Sequence, residues 1–135
     1  MRVLAIDPGS KRVGIAVSDP TGTIAQALPT VAAEPRETLV ARLVEIASAR
    51  EAERIVVGLP RRLDGSDGPE AKAARELAAA LRDASRLPVD LVDERLTTAA
   101  AERAMISGGV KRARRRVAID GVAAALLLQS HLDRK

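Results

Sequence analysis

The stretch VLAIDPGSKRVGIAV, residues 3–17, limits what this chain can fold into more than any other part of it. Two apolar runs are separated by a short loop that holds Pro8 and Gly9. Four consecutive apolar residues, Val3, Leu4, Ala5 and Ile6, read as a strand buried on both faces. A connection this short joins two strands only as an antiparallel hairpin. The first strand runs out at an aspartate, Asp7, and Lys11 and Arg12 follow closely. DPTGT makes a second turn, and a third strand over about residues 23–28 completes a meander, which Pro29 is expected to stop.

The period then changes. Leu39, Leu43, Ile46 and Ala47 share one helical face. RIVVGLP reads as a buried strand ending at Gly58, followed by a polar loop with Gly65, Gly68 and Pro69. Ala74, Leu77, Ala78 and Leu81 mark a second helix, and LPVDLVDE a last short strand. Thr97 or Thr98 can cap a helix to about Ile106. SGGVKRARRR breaks the pattern and reads as a loop, and residues 117–132 form a final, mostly apolar helix. The element order is βββαβαβαα, with right-handed crossovers in the βα part. The opening meander, and the lack of G-x-G-x-x-G after the first strand, argue against a parallel dinucleotide-binding sheet. With no repeat or linker, residues 1–135 are expected to form one domain.

An apolar content of 47% is enough for a real core. The chain has no cysteine, which excludes a disulfide framework and thiolate metal sites. It shows no basic-then-apolar leader and no apolar run near the roughly 18 residues of a membrane span, so a soluble, cytoplasmic protein is expected. Net charge is +4, carried by eighteen Arg and four Lys. Arginine's planar fork suits phosphate, and KRARRR is denser in charge than compositional bias explains. Phe, Tyr and Trp are all absent. Any nucleic acid must therefore be held by its phosphates and shape, with Arg planes as the only stacking surface.

Three acidic positions stand out. Asp7 is either a metal ligand or a turn-forming Asp before Pro-Gly. Asp93 and Glu94 close another strand; alternation sends them to opposite sides, so only one points into a site, unless they simply end the strand and cap the next helix. Asp120 lies in VAIDGVAAALLL, apolar on nearly every side. The helix dipole gives a carboxylate there about 1 kcal/mol at most, too little to offset burial, so a metal or an arginine is needed as partner. Converging carboxylates raise one another's pKa values, and a divalent ion reverses the penalty. Magnesium, taking oxygen ligands and keeping several waters, needs only two or three of them. His131 reads as a surface or dipole-compensating residue, Met105 as core, and Thr97 and Thr98 as caps. Lys11 and Arg12 either touch a phosphate beside Asp7 or are exposed hairpin residues.

AIDPGSKRVGIAVSD, VVGLP with DGSDGP, VDERLTT and IDGVAAALLL resemble, in order and spacing, the motifs of the YqgF/RuvX family. The resemblance covers about residues 1–132. It implies an α/β, RNase H-like fold: a five-stranded mixed sheet in the order 3-2-1-4-5, flanked by helices and similar to RuvC-type Holliday junction resolvases. It implies a nuclease using Mg2+ or Mn2+, acting in maturation of the 5′ end of pre-16S ribosomal RNA or on Holliday junctions. By position Asp7 resembles the first-strand catalytic and metal-binding aspartate, Glu94 or its neighbour Asp93 the second acid, and Asp120 the acid of the last helix; Asp64 is a reserve ligand. Lys11, Arg12, Arg61, Arg62, Arg95, Lys111, Arg112, Arg114, Arg115 and Arg116 are the expected nucleic-acid contacts. The family often has an Asn before Asp-Gly where Arg61, Arg62 and Leu63 precede Asp64, so a phosphate contact by Arg62 would replace the family's Asn. A resolvase cutting two strands symmetrically would call for a homodimer.

Two other classes compete. Actin-like and sugar-kinase phosphotransferases also begin with a strand-Asp-x-Gly hairpin, but they need a second related domain that this length does not hold. A non-catalytic RNA-binding ribosome assembly factor fits the charge equally well. Three acids would oppose a polyanion without metal, so metal-dependent cleavage separates the two.

Overall fold

The computed structural model describes residues 1–62, 64–93 and 112–133, with side chains for all of these except 112–122. The elements in chain order are β1 (Val3–Asp7), β2 (Arg12–Ser18), β3 (Ala25–Ala32), α1 (Arg36–Ala49), β4 (Arg54–Leu59), α2 (Pro69–Ser85), β5 (Val89–Asp93) and α3 (Arg112–Asp133). The strands form one sheet in the order β3-β2-β1-β4-β5. β1, β2 and β3 are antiparallel neighbours; β4 and β5 run parallel to β1. This is the RNase H-like arrangement that the motifs imply.

The unbroken apolar runs of β1 and β4 follow from cover on both faces. Leu4, Ile6, Val13, Ile15, Ile55, Val57 and Leu59 pack with Leu39, Leu43, Leu77 and Leu81 of α1 and α2. Val3, Ala5, Ala16, Val56 and Val92 pack with Ala124, Leu127, Leu128 and Leu132 of α3. The α3 side of the sheet is lined with smaller residues, so that helix can lie close. Leu127 and Leu128 are fully buried. Truncating either to Ala should cost about 2–5 kcal/mol through lost burial and the cavity left behind.

Two expectations need correction. Pro29 does not end the third strand; β3 runs through it to Ala32. Ile15 faces Leu28 and Val13 faces Val31, so two residues of β3, Pro29 and Thr30, stand against Gly14 alone. A bulge on an edge strand is a place where a residue without an N–H is tolerated. The basic run is not a loop either: α3 begins at Arg112 and carries Arg114, Arg115 and Arg116 as helix. Arg and Ala are strong helix formers, and no Gly or Pro interrupts residues 111–120. The helix expected over about residues 97–106 lies outside the described residues.

The axial position of α3 is fixed at its C-terminal end. The Gln129 carboxamide accepts the Ala25 N–H at 3.0 Å and donates to the Thr23 carbonyl at 2.9 Å. Ala25 faces Ser18, whose hydroxyl accepts the Val3 N–H at 2.8 Å. Gln129 therefore sits level with the start of β1, and α3 runs from there, towards its own N-terminus, to the edge where β1 ends.

Candidate active site

The parallel strands β1, β4 and β5 all end at one edge of the sheet, the edge at which open α/β sheets bind ligands. Asp7 is the last residue of β1 and half-buried. It alternates with Val3 and Ala5, so it belongs to the α3 side. Gly14 is its partner on β2. On the other side Ile6 pairs with Val57, which puts Gly58 next to Asp7. Both sheet positions flanking the carboxylate thus lack a side chain, and the α3 face of the sheet is lowest there. The sequence marks Gly58 only as a strand end and does not single out Gly14; their place beside Asp7 is revealed by the register alone.

The loop after β1 is tightly drawn. A Cβ on Gly9 would meet the Arg12 carbonyl oxygen at 2.3 Å, so the backbone returns close to itself directly beyond Asp7. Lys11 and Arg12 are exposed at this edge, and the Lys11 carbonyl accepts the Ala33 N–H at 2.9 Å.

Asp93 ends β5 opposite Leu59, a residue of the α1 and α2 side, and alternates with Val92, which packs under α3. Asp7 and Asp93 therefore belong to opposite faces. Glu94, Arg95 and Lys111 lie outside the described residues. Asp120, Arg112, Arg114, Arg115 and Arg116 are on the backbone of α3, with their side chains outside the description. Asp120 is nine residues before Gln129, a rise of ~14 Å along a helix. Val3 to Asp7 spans four strand steps, or ~13 Å. The two aspartates are therefore level, and Asp120 precedes Ala124 and Leu127 at the i, i+4, i+7 spacing of the buried stripe.

Asp64 shapes its own turn: its Oδ1 accepts the Ser66 N–H at 2.9 Å and the Ser66 hydroxyl at 2.6 Å. Arg62 is exposed, with its guanidinium against Gly68, where a Cβ would meet Nε at 3.0 Å. Arg61 is half-buried beside Asp67, and Arg75 reaches Asp67 from α2. Neither Asp67 nor Arg75 stood out in the sequence, because a loop return brings them to Arg61.

Among the described residues no three His, Cys, Asp or Glu side chains cluster closely enough to hold a metal ion; the side chains of Glu94 and Asp120 are not among them. None of the described helices is long and apolar enough to cross a membrane.

A mixed sheet of this order, with helices on both faces, defines an RNase H-like fold. Its likeness to solved structures agrees. The fowlpox virus Holliday junction resolvase superposes with a TM-score of 0.61 at 16% identity, over 100% of both chains. RuvC from T. thermophilus, in complex with a Holliday junction substrate, gives 0.60 at 21% identity, over 99% of this chain and 95% of that one. At such identities the likeness is one of fold. The chain belongs to the RuvX family, whose model, described as Holliday junction resolvase, matches residues 1–134. A relative from Pelotomaculum thermopropionicum, named as a candidate pre-16S rRNA nuclease, is 48% identical over 134 residues, 98% of this chain and 87% of that protein. The chain is a nuclease, a hydrolase of nucleic-acid phosphodiester bonds, and nucleases of this kind use divalent metal ions.

Proposed function

We propose that residues 1–135 form a single nuclease domain that holds Mg2+ or Mn2+ between Asp7, Glu94 and Asp120, and that it acts in the cytoplasm on the 5′ end of pre-16S ribosomal RNA. The observation that carries this is the glycine-flanked Asp7, level with Asp120 on the helix that covers the same face. The donor set fits the ion: carboxylate oxygens suit a hard cation, and two or three acids brought together need one. The pairing of Asp93 with Leu59 puts Asp93 on the face away from Asp7, which supports Glu94 over Asp93 as the second acid. Asp93 and Asp64 stand in reserve, Asp64 being occupied with its own turn.

When bound, the divalent ions supply a water of lowered pKa and stabilise the leaving oxygen. The carboxylates hold these ions on rigid elements and form no covalent bond to substrate. Lys11, Arg12, Arg61 and Arg62 stand beyond the same sheet edge, where a phosphate backbone approaches Asp7. Arg95, Lys111, Arg112, Arg114, Arg115 and Arg116 are the further nucleic-acid contacts of this reading. The names of the relatives support ribosomal RNA as substrate. The description of the family supports a second reading, in which a homodimer cleaves four-way DNA junctions.

The experiment is side-by-side cleavage of a ribosomal RNA precursor and a four-way DNA junction with Mg2+, Mn2+ or EDTA. RNA cleavage that EDTA abolishes is expected, and junction cleavage alone would transfer the reading to DNA. Calorimetric titration of Asp7→Asn with Mn2+ should show affinity lowered at least several-fold; unchanged affinity would remove Asp7 from the metal site.

A further inference from the structure

Arg61, Asp67 and Arg75 form a cluster outside the metal site. Asp67 Oδ2 accepts a hydrogen bond from Arg75 Nε at 2.8 Å, while its Oδ1 lies 3.4 Å from Arg61 Nε. That Arg61 Nε is buried and makes no hydrogen bond among the described residues. One carboxylate thus stands between two guanidinium groups, and one positive charge is left over. Both contacts are made through Nε, which leaves the fork between the two terminal amino groups of each arginine for another acceptor.

The position matters as much as the charge. Arg61 comes three residues after Gly58, the neighbour of Asp7, at the edge where the parallel strands end. Its loop is held by backbone hydrogen bonds from Arg61 N to Leu59 O at 3.0 Å, from Arg62 N to Ser66 O at 3.0 Å and from Gly65 N to Arg62 O at 2.8 Å. Arg75 comes from α2, so the two arginines are presented by separate, ordered elements. Exposed ion pairs of this kind add little to fold stability. A phosphodiester phosphate, with two free oxygens and one negative charge, matches two adjacent forks carrying one uncompensated positive charge.

We propose that Asp67 is a positioning residue that holds Arg61 and Arg75 side by side as a clamp for one phosphate of the substrate strand, beyond the edge at which Asp7 lies. The clamp rests on the nuclease reading above and adds to it a specific phosphate subsite and two residues, Asp67 and Arg75. The hydrogen bond from Arg75 and the charges of Arg75 and Arg61 outweigh desolvation and hold the Asp67 carboxyl below its ordinary range. The carboxylate is therefore ionised at neutral pH.

A positioning acid and a mere surface acid have opposite effects on binding when removed. Removing an acid from a face that meets a polyanion should strengthen binding by electrostatics alone. Removing an acid that orders two arginines should weaken it. The test is fluorescence-anisotropy titration of the whole chain with a labelled RNA oligonucleotide in Ca2+, over a salt series. Asp67→Asn should bind about five- to tenfold more weakly than wild type, and Asp67→Glu should recover part of the loss. Arg75→Gln should flatten the slope of log K against log salt by about 0.7 to 0.9, one phosphate's share. Mn2+ affinity should be unchanged in all three. Equal or tighter RNA binding by Asp67→Asn overturns the clamp, as does an unaltered slope in Arg75→Gln; should Asp67→Asn fail to fold, the exposed Arg75→Gln decides alone. Loss of Mn2+ affinity in Asp67→Asn would place Asp67 in the metal site and overturn the clamp as well. Wild-type protein with no salt-dependent RNA binding would refute the RNA-nuclease reading itself, and the clamp with it.

Discussion

Gln129 sets where α3 stops along the sheet, so its replacement tests whether the height of Asp120 is fixed from the far end of the helix. In Gln129→Ala the Ala25 N–H and the Thr23 carbonyl each lose a partner, and so does Asp133 Oδ1, held at 3.0 Å within the helix. A hydrogen bond contributes a net ~0.5–1.5 kcal/mol, so the two bonds to β3 and its preceding turn are worth about 1–3 kcal/mol together. Alanine returns a few tenths of a kcal/mol in helix propensity. The expected loss is about 1–2 kcal/mol, a fall of roughly 0.5–1 M in the urea midpoint at an m-value near 2 kcal/mol per M. Asp133→Ala removes only the bond within the helix and serves as control, with a change below about 0.5 kcal/mol expected. The assay is urea unfolding followed by circular dichroism, with calorimetric Mn2+ titration of the folded variants. Gln129→Ala should lose Mn2+ affinity several-fold, while Asp133→Ala keeps it. A lowered midpoint with wild-type Mn2+ affinity would refute the reasoning, because α3 would then hold its register without the latch.

Gly9→Ala puts a Cβ 2.3 Å from the Arg12 carbonyl oxygen, a backbone atom that cannot rotate away. The hairpin must open, at about 1–3 kcal/mol, and thermal scans with Mn2+ titration should show both a lower melting temperature and weaker metal binding. Asp19→Asn tests the turn that leads to Thr23 and Ala25. The Asp19 carboxylate accepts the N–H groups of Ile24 and Thr23, each at 2.8 Å, and the Thr21 hydroxyl and N–H, and these bonds, Ile24's first, hold its pKa well below the usual range. The stability it lends is complete above the ordinary carboxylate pKa of about 3.9 and is lost as pH falls below that value towards the lowered one. Asp19→Asn should therefore be less stable at neutral pH and lose less on acidification between about pH 5 and 2; parallel pH profiles for the two proteins would contradict this.

Strands and helices with a strong local period could be read directly: the runs of β1 and β4, and the Leu39, Leu43, Ala47 and Leu77, Leu81 stripes, all stand as expected. Misreadings came where a local rule meets a tertiary exception. Proline stops a strand that must donate a full ladder, but the bulge opposite Gly14 relieves β3 of that demand. A basic run that follows Gly108 and Gly109 without apolar periodicity reads as a loop, yet arginine's helix propensity carries α3 through Arg112 to Arg116. The expectation for Asp93 and Glu94 was limited differently. Alternation says that they diverge, but only the pairing of β5 with β4 tells which of the two faces Asp93 belongs to. The Arg61, Asp67 and Arg75 cluster leaves no local trace, because nothing in residue spacing foretells how a glycine-containing loop turns back.

The two faces of the sheet differ in how far apart along the chain their partners lie. The face under α1 and α2 is covered by residues that follow the meander closely, and β4 and β5 join it in sequence. The other face waits for α3, and its latch joins residues 104 positions apart. During synthesis the emerging chain therefore carries a half-dressed sheet, with Val3, Ala5, Ala16 and Val56 bare to solvent or to a chaperone. The same helix carries Asp120, so the step that hides this sticky surface also brings in the third acid of the proposed metal site.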